Sequence, residues 1–313
     1  MQLLKLKETV SFMSLRVPAM IFSAVLMLAS IASLATNSLN WGLDFTGGTL
    51  VEVGYDQEAN LPQIREQLQA SGFPDAVVQN FGSSSEVLIR LAPRDNVKAS
   101  ELSNQVMDAL NLETSNIRRV EFVGPSVGEE LTEQGGLAML VALLCILVYV
   151  AMRFEWRFAL GSVVALAHDV LLTLGLFSFL QLEFDLTVLA AVLAVIGYSL
   201  NDTIVVSDRI RENFRKVRKG GPEEIINISL TQTLNRTIIT SMTTIFVLLA
   251  LFFVGGALIH GFATALLFGV FIGTYSSIYV ASLVALMLGI SKEDLIPAEV
   301  EKEGEELEST PFN

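Results

Sequence analysis

Charge is scarce in this sequence, and so are the residues that usually bind metals. Only 17% of the 313 residues are Asp, Glu, Lys or Arg, whereas about 25% are charged in an ordinary soluble domain. There are two histidines and one cysteine, Cys145, which excludes a disulfide scaffold and argues against a metal centre. No G-x-x-x-x-G-K-[ST] string occurs, so we expect no nucleotide-binding loop and no cofactor.

The acidic excess is concentrated in two segments. Residues 37–134 hold 15 acidic and 6 basic side chains, and residues 291–313 hold 8 acidic and 2 basic. No segment is basic enough to attract a phosphate backbone, which argues against nucleic acid as a partner. The composition of 291–313 predicts a solvated, flexible tail, with docking of a partner as the alternative.

Apolar residues make up 52% of the chain and gather into six runs. The runs are 17–36, 136–152, 158–180, 186–206, 237–254 and 262–289. Most of them reach the roughly 20 residues that span about 30 Å of hydrocarbon. We therefore predict an α-helical membrane protein with a first transmembrane helix at 17–36 and a five-helix bundle at 135–290. The first run exceeds the cleavable core of about 7–15 residues in a signal peptide, so an uncleaved anchor is favoured.

Loops with and without basic residues alternate along the predicted spans. The stretch 1–16 and the loops 153–157 and 207–236 contain Lys and Arg, whereas 181–185 and 255–261 contain none. Basic loops face the cytoplasm. We therefore expect a multi-pass membrane protein with both termini in the cytoplasm and segment 37–134 on the far side, which in a bacterium is the periplasm or the cell exterior.

Segment 37–134 has a strand and helix pattern of its own. The predicted elements are strands at 49–55, 76–81, 86–91 and 117–123 and helices at 61–72 and 98–110. Their order, βαββαβ, matches an α+β ferredoxin-like unit. We expect this segment to form a separate periplasmic domain with a core of its own.

Two aspartates interrupt the apolar runs, Asp169 in the third span and Asp202 in the fourth. An ionisable group in a span costs several kcal/mol unless it is paired or hydrated, so it indicates function. Tyr198 and Ser199 share a helical face with Asp202, and Asn201 adjoins it. This polar patch must face another helix or a water-filled gap.

Arg236 opens the fifth span on the same side of the membrane as Asp202, and three threonines within 240–244 extend its polar stripe. An ion pair between Asp202 and Arg236 stabilises the ionised carboxylate, and breaking the pair favours protonation. A proton carrier needs that alternation. A static pair that sets helix register, a pair of Asp202 with Arg209, and a catalytic acid remain alternatives.

Asp169 shares a helical face with Ser162 and Thr173, which we expect to supply its hydrogen bonds as a secondary polar contact. His168 precedes it, but neighbouring side chains on a helix point about 100° apart, so we do not expect the two to meet. The other histidine, His260, is expected at the opposite side of the membrane, which argues against a shared metal.

Several strings are distinctive in combination. They are GLDFTGGT at 42–49, VGPSVGEEL at 123–131, VIGYSLNDTIVVSDRIREN at 195–213 and TLNRTIITS at 233–241. With the order of one span, a ferredoxin-like domain and five spans, the chain resembles the SecF family over residues 10–290. These are the smaller subunits of the SecD–SecF complex of bacterial protein translocation, related to the RND transporters.

The resemblance implies partners and an energy source. It implies a place in the lipid bilayer of the bacterial inner membrane, pairing with SecD and association with the SecYEG channel. It also implies use of the proton motive force to move a preprotein. The family's intramembrane Asp and Arg match Asp202 and Arg236, which with Asn201 are predicted to form the proton relay. No enzymatic activity is expected.

Gly42, Gly47 and Gly48 lie between the first span and the first strand, where they predict a hinge or an ordinary tight turn. Two other functions compete with proton-driven translocation. One is a structural scaffold that holds SecD to the channel. The other is an intramembrane aspartyl protease using Asp169 and Asp202, which their difference of roughly 6 Å in depth disfavours.

Overall fold

The computed structural model describes residues 9–93, 99–111, 116–217 and 220–291. In chain order its elements are α1 (Arg16–Asn37), β1 (Asn40–Trp41), α2 (Leu43–Thr46), β2 (Gly48–Gly54), α3 (Leu61–Ala70), β3 (Val77–Phe81), β4 (Ser83–Leu91), α4 (Ala99–Leu110), β5 (Ile117–Val123), α5 (Pro125–Arg153), α6 (Trp156–Leu180), β6 (Glu183–Phe184), α7 (Leu186–Lys216), α8 (Pro222–Val254), α9 (Ala257–Ser276) and α10 (Ser282–Met287). A π-helical turn, Ser277–Ala281, joins the last two helices. The predicted acidic tail lies outside the described residues beyond Ser291, as do residues 1–8 of the N-terminal stretch.

Six helical segments of the described structure are long and apolar enough to cross a membrane. They are α1 with the turn before it, α5, α6, α7, α8, and α9 continued through the π-helical turn into α10. This confirms the prediction of a helical membrane protein with six spans. The spans α6, α7 and α9–α10 form the interior of the bundle, because at least half of the residues in the most apolar stretch of each span are buried. The spans α1, α5 and α8 are peripheral, and their exposed apolar side chains suit contact with lipid or with another membrane subunit.

The strands β2 to β5 and the helices α3 and α4 form a sheet domain between the first and second spans. All strand pairs are antiparallel, and the spatial order is β3-β4-β2-β5. This confirms the predicted βαββαβ unit, because the first and third strands of the unit are central. Apolar side chains of β2 and β4 pack against those of α3 and α4, and the core includes Val51, Val53, Ile89, Leu68 and Val106.

The helices extend beyond the apolar runs. The prediction of a loop at 207–236 was wrong for most of these residues, because α7 continues to Lys216 and α8 begins at Pro222. These extensions are stable because Ile210, Phe214, Ile225 and Ile226 bury one face of each helix in a common apolar core. Helix α5 likewise begins at Pro125, directly after the last strand of the sheet domain.

Candidate functional site

Asp202 lies near the middle of α7 with only 3% of its surface exposed. Its Oδ2 atom is buried and accepts no hydrogen bond from the described residues. A buried carboxylate oxygen without a donor is costly while the group is ionised. Asp202 therefore has the surroundings of a group that binds a proton or a cationic partner.

Arg236 lies on α8, which packs beside α7, and it acts electrostatically on Asp202. None of the ion pairs within 4.0 Å between described residues joins the two side chains. Arg236 and Asn201 are both exposed. Arg209, the alternative partner of Asp202, pairs instead with Glu212 at 2.9 Å.

Hydroxyl groups connect three spans close to Asp202. Tyr198, one turn before it on α7, donates a hydrogen bond of 3.3 Å to Ser241 on α8. Ser241 Oγ lies 2.7 Å from Thr274 Oγ1 on α9. Thr237 Oγ1 on α8 is buried without a partner among the described residues. The polar patch thus faces neighbouring helices, as its side-chain pattern requires.

The buried polar positions of α8 differ from those the sequence indicated. Thr240, Thr243 and Thr244 satisfy their hydroxyls on carbonyls of the preceding turn of their own helix. The polar side chains that α8 buries are Ser229, Thr233, Thr237 and Ser241. Their spacing of four residues is a helical pattern that the sequence contains.

Asp169 lies on α6 in the bundle interior and is fully buried. The expected partners were wrong, since Ser162 donates to the Phe158 carbonyl and Thr173 donates to the Asp169 carbonyl rather than to the carboxylate. The carboxylate accepts hydrogen bonds from Ser199 on α7 and Ser276 on α9 instead.

The expectation that His168 and Asp169 do not meet was also wrong. His168 Nδ1 lies 2.9 Å from Asp169 Oδ1, and both side chains are buried. Side chains that leave a helix about 100° apart can still converge when both bend toward the same interior space. The packing of α6 against its neighbouring helices provides that space.

The loop with Gly42, Gly47 and Gly48 is tightly packed. Gly42 N donates a hydrogen bond of 2.8 Å to the Phe184 carbonyl, continuing the parallel pairing of β1 with β6. A Cβ on Gly42 would lie 3.0 Å from Asp185 Cα. Gly47 and Gly48 have φ of +66° and +121°, which glycine adopts without a steric cost. The glycines thus form a turn that seats the first strand of the sheet domain.

Acidic side chains from this turn and from the α6–α7 loop meet at the start of α7. Asp44 Oδ2 accepts a hydrogen bond of 3.0 Å from Leu186 N, and Asp185 Oδ1 accepts one of 2.8 Å from Val188 N. Both carboxylates occupy the N-terminal turn, where backbone N–H groups and the helix dipole favour negative charge. The glycine turn therefore contacts the span that carries Asp202.

Arg90 adds a direct connection between the sheet domain and the same loop. Its guanidinium lies 2.9 Å from Glu183 and donates a hydrogen bond of 2.5 Å to the Trp41 carbonyl. Burial raises the pKa of Glu183, and the Arg90 charge opposes this shift. The contacts of Arg90, Glu183, Asp44 and Asp185 thus lie between the sheet domain and the start of α7.

These features define a multi-pass membrane protein with a ferredoxin-like domain inserted after the first span and carboxylates among hydroxyls in its bundle. A family model described as "Protein export membrane protein SecD/SecF, C-terminal" matches residues 103–291. A second model, "SecD/SecF GG Motif", matches residues 32–59, which include the glycine turn. The chain belongs to the SecD/SecF family of protein-export membrane proteins, as one of its SecF translocase subunits.

Relatives of similar length support this assignment. "Protein translocase subunit SecF" of Vibrio alginolyticus is 62% identical over 313 residues, covering 99% of both chains. The protein of the same description from Pseudomonas aeruginosa is 50% identical over 289 residues, covering 92% of this chain and 94% of that one.

A solved structure shares the fold. The crystal structure of SecDF from Thermus thermophilus, described as a translocon-associated membrane protein, is 38% identical with a TM-score of 0.83. The match covers 91% of this chain but only 39% of the SecDF chain. This chain thus corresponds to part of that longer protein.

Proposed function

We propose that this translocase subunit uses the proton motive force to assist protein translocation, with Asp202 as the group that binds and releases the proton. SecD would be its direct partner, SecYEG the channel, and the translocating preprotein the cargo. The likeness to SecDF supports these partners, because the solved chain contains a region of this fold within a longer polypeptide.

The proposed topology places residues 1–16 and the tail 291–313 in the cytoplasm and segment 37–134 in the periplasm. The alternation of basic and non-basic loops supports this orientation. The proton motive force then acts across the bundle from the sheet-domain side to the side of the basic loops. A membrane potential supplies about 2.3 kcal/mol per charge per 100 mV.

The observation that carries the proposal is that Asp202 Oδ2 is buried and has no hydrogen-bond partner in the part of the chain that the structure describes. Protonation removes the charge and with it the cost of burying an anion. Arg236 acts on the carboxylate without an ion pair in this structure, so a small displacement of α8 against α7 would strengthen or weaken its effect. Movement of Arg236 relative to Asp202 would thereby alternate proton binding and release, and exposed Asn201 would mark the hydrated side.

Export of a preprotein into inverted membrane vesicles tests the proposal, with SecD present and the proton gradient either intact or collapsed by a protonophore. Asp202→Asn keeps the shape of the side chain but carries no titratable proton. We expect the variant to assemble with SecD and to lose the part of export that depends on the gradient.

Asp208→Asn on the same helix is the matched control. Asp208 is partly exposed and pairs with Arg153 at 2.6 Å, so its removal should leave the response to the gradient intact. A normal gradient response in Asp202→Asn would refute the relay and leave Asp202 as a packing residue of a scaffold.

A further inference from the structure

A second carboxylate site lies in the interior of the bundle. Asp169 and His168 on α6 are 0% and 1% exposed. His168 Nδ1 lies 2.9 Å from Asp169 Oδ1, and Asp169 Oδ2 accepts a hydrogen bond from Ser199 and one of 2.6 Å from Ser276. Three helices therefore place hydrogen-bonding side chains against one buried carboxyl group.

With the Nδ1–H tautomer of His168, all three groups donate to Asp169, which suits an ionised carboxylate because it only accepts hydrogen bonds. With Nδ1–H of His168 donating to Asp169, the second ring nitrogen, Nε2, keeps its lone pair. That atom is buried and has no hydrogen-bond partner among the described residues. Buried acceptors without a donor are uncommon in proteins, and a role in binding a proton explains this one.

Charge compensation favours a proton at this atom. A protonated imidazole carries a positive charge directly beside the Asp169 carboxylate, so one added proton converts a buried anion into a neutral ion pair. The bond that forms is Nε2–H, and the bond that breaks is an O–H bond of a hydronium ion. The hydrogen bonds to Asp169 stay in place throughout this step.

Several elements packed around His168 carry charged or titratable groups. Those of α7 other than Tyr198 and Asp202 lie toward its C-terminal end, and the ring of Tyr279 in the π-helical turn lies 5.4 Å from that of Tyr275. Tyr275 on α9 has its ring 6.2 Å from the imidazole, and its hydroxyl donates to a backbone carbonyl of α1. Asp202 is the titratable acid nearest in sequence to Ser199 on α7. The only charge on α1 is Arg16, which pairs with Glu223, α10 has none, and the charges of α5 lie toward its two ends.

We propose that His168 and Asp169 form a second proton-binding site, between Asp202 and the end of the bundle that carries the sheet domain. Ser199 precedes Asp202 by three residues on α7, a rise of about 4.5 Å toward that end. When the proton leaves, the Nε2–H bond breaks and an O–H bond of a hydronium ion forms. This inference rests on the proposed function, because it assigns both sites to one proton path.

Nuclear magnetic resonance can test proton binding without any export assay. The chain has two histidines, so His260→Asn leaves His168 as the only imidazole. The full chain with this substitution, labelled with ¹⁵N-histidine in lipid nanodiscs, is titrated between about pH 5 and 9. We expect Nδ1 to stay protonated and Nε2 to gain a proton as the pH falls. A ring that keeps one protonation state across this range would overturn the proposal.

The path is tested by export into inverted vesicles with SecD present. His168→Asn retains an amide donor for Asp169 but cannot bind the proton, so we expect gradient-driven export to fall at least about tenfold. The control is His260→Asn, whose exposed ring packs on Phe252 and should not matter. Wild-type export in His168→Asn would overturn the path.

The two assays separate this inference from the proposed function. If Asp202→Asn keeps its gradient response while Nε2 of His168 still titrates, the relay through Asp202 fails and the proton-binding site stands. If Asp202→Asn loses the response while Nε2 never gains a proton, the relay stands and the second site is refuted.

Discussion

Removing the positive charge of Arg90 should destabilise the attachment of the sheet domain to the helix bundle. The side chains of Arg90 and Glu183 are only 12% and 24% exposed, and their charged atoms lie 2.9 Å apart. We consider the substitution Arg90→Met, which keeps the apolar stem of the side chain but leaves the Glu183 carboxylate without its partner.

The size of the effect follows from two opposing energies. Two charges 2.9 Å apart attract by about 6 kcal/mol at an effective dielectric constant of about 20. Burial opposes this attraction, because it is the largest influence on the pKa of Glu183 and raises that pKa against the lowering effect of Arg90. The intact pair therefore contributes little net stability. Removing Arg90 alone leaves a mostly buried charge unpaired, which should cost about 2–4 kcal/mol.

A double-mutant cycle separates the pair from the other contacts of Arg90. In Arg90→Met with Glu183→Gln no unpaired charge remains, so we expect a loss of only about 1 kcal/mol for the hydrogen bond to the Trp41 carbonyl. The free energy of unfolding is measured in mixed detergent micelles for the wild type, both single variants and the double variant. The coupling energy should reach at least about 1.5 kcal/mol.

The matched control is the ion pair of Arg119 with Glu121 on β5 of the same domain. Its side chains are 29% and 40% exposed, so Arg119→Met should cost less than about 1 kcal/mol. Equal losses in the Arg90 and Arg119 variants would refute the argument. A double variant as unstable as Arg90→Met alone would refute it as well.

Two further predictions concern the same region. Burial raises the pKa of Glu183, so this carboxyl group keeps its proton to a higher pH in the folded state than in the unfolded state. The contribution of Glu183 to the free energy of unfolding is therefore complete below about pH 4 and is lost as the pH rises. The melting temperatures of the wild type and Glu183→Gln should therefore be equal below about pH 4, and the wild type should melt at the lower temperature at higher pH. A constant difference in melting temperature at every pH would contradict this prediction. In the glycine turn, Gly48→Ala should cost at least about 3 kcal/mol, because φ is +121° and the new Cβ would collide with the Leu91 carbonyl oxygen. At Gly72, where φ is +89°, an added Cβ would have no atom of the other described residues within 4 Å, so Gly72→Ala should cost only about 1–2 kcal/mol in the same unfolding assay. Equal losses in the two variants would exclude the collision as the cause.

Local patterns in the sequence were sufficient for the architecture. The six spans follow from the length of apolar runs, because a bilayer core admits only apolar helices of about 20 residues. The βαββαβ order follows from the alternation and spacing of apolar residues between Thr49 and Val123. Helix ends outside the bilayer were harder, since Ile210 and Ile225 are buried by contact with other helices rather than by lipid.

The residue types of the candidate sites were also visible in the sequence, but their contacts were not. Asp202 was singled out because an acidic side chain in an apolar run is costly unless it is paired or hydrated. Its burial on α7 agrees with that argument. The partners of Asp169 could not be derived, since Ser199 and Ser276 are 30 and 107 residues away in the chain. Their approach depends on the rotation and crossing of α6, α7 and α9.

The sequence by itself therefore determined the number of spans, the inserted α+β domain and the two acids within the bundle, because these depend on local hydropathy and residue order. The tertiary structure alone decided that His168 meets Asp169, that Arg90 reaches Glu183, and that the glycine turn contacts the start of α7. The physical reason is that helix packing selects rotamers and brings distant backbone groups within hydrogen-bond distance. Sequence periodicity specifies which face of a helix is buried but not which atoms it meets.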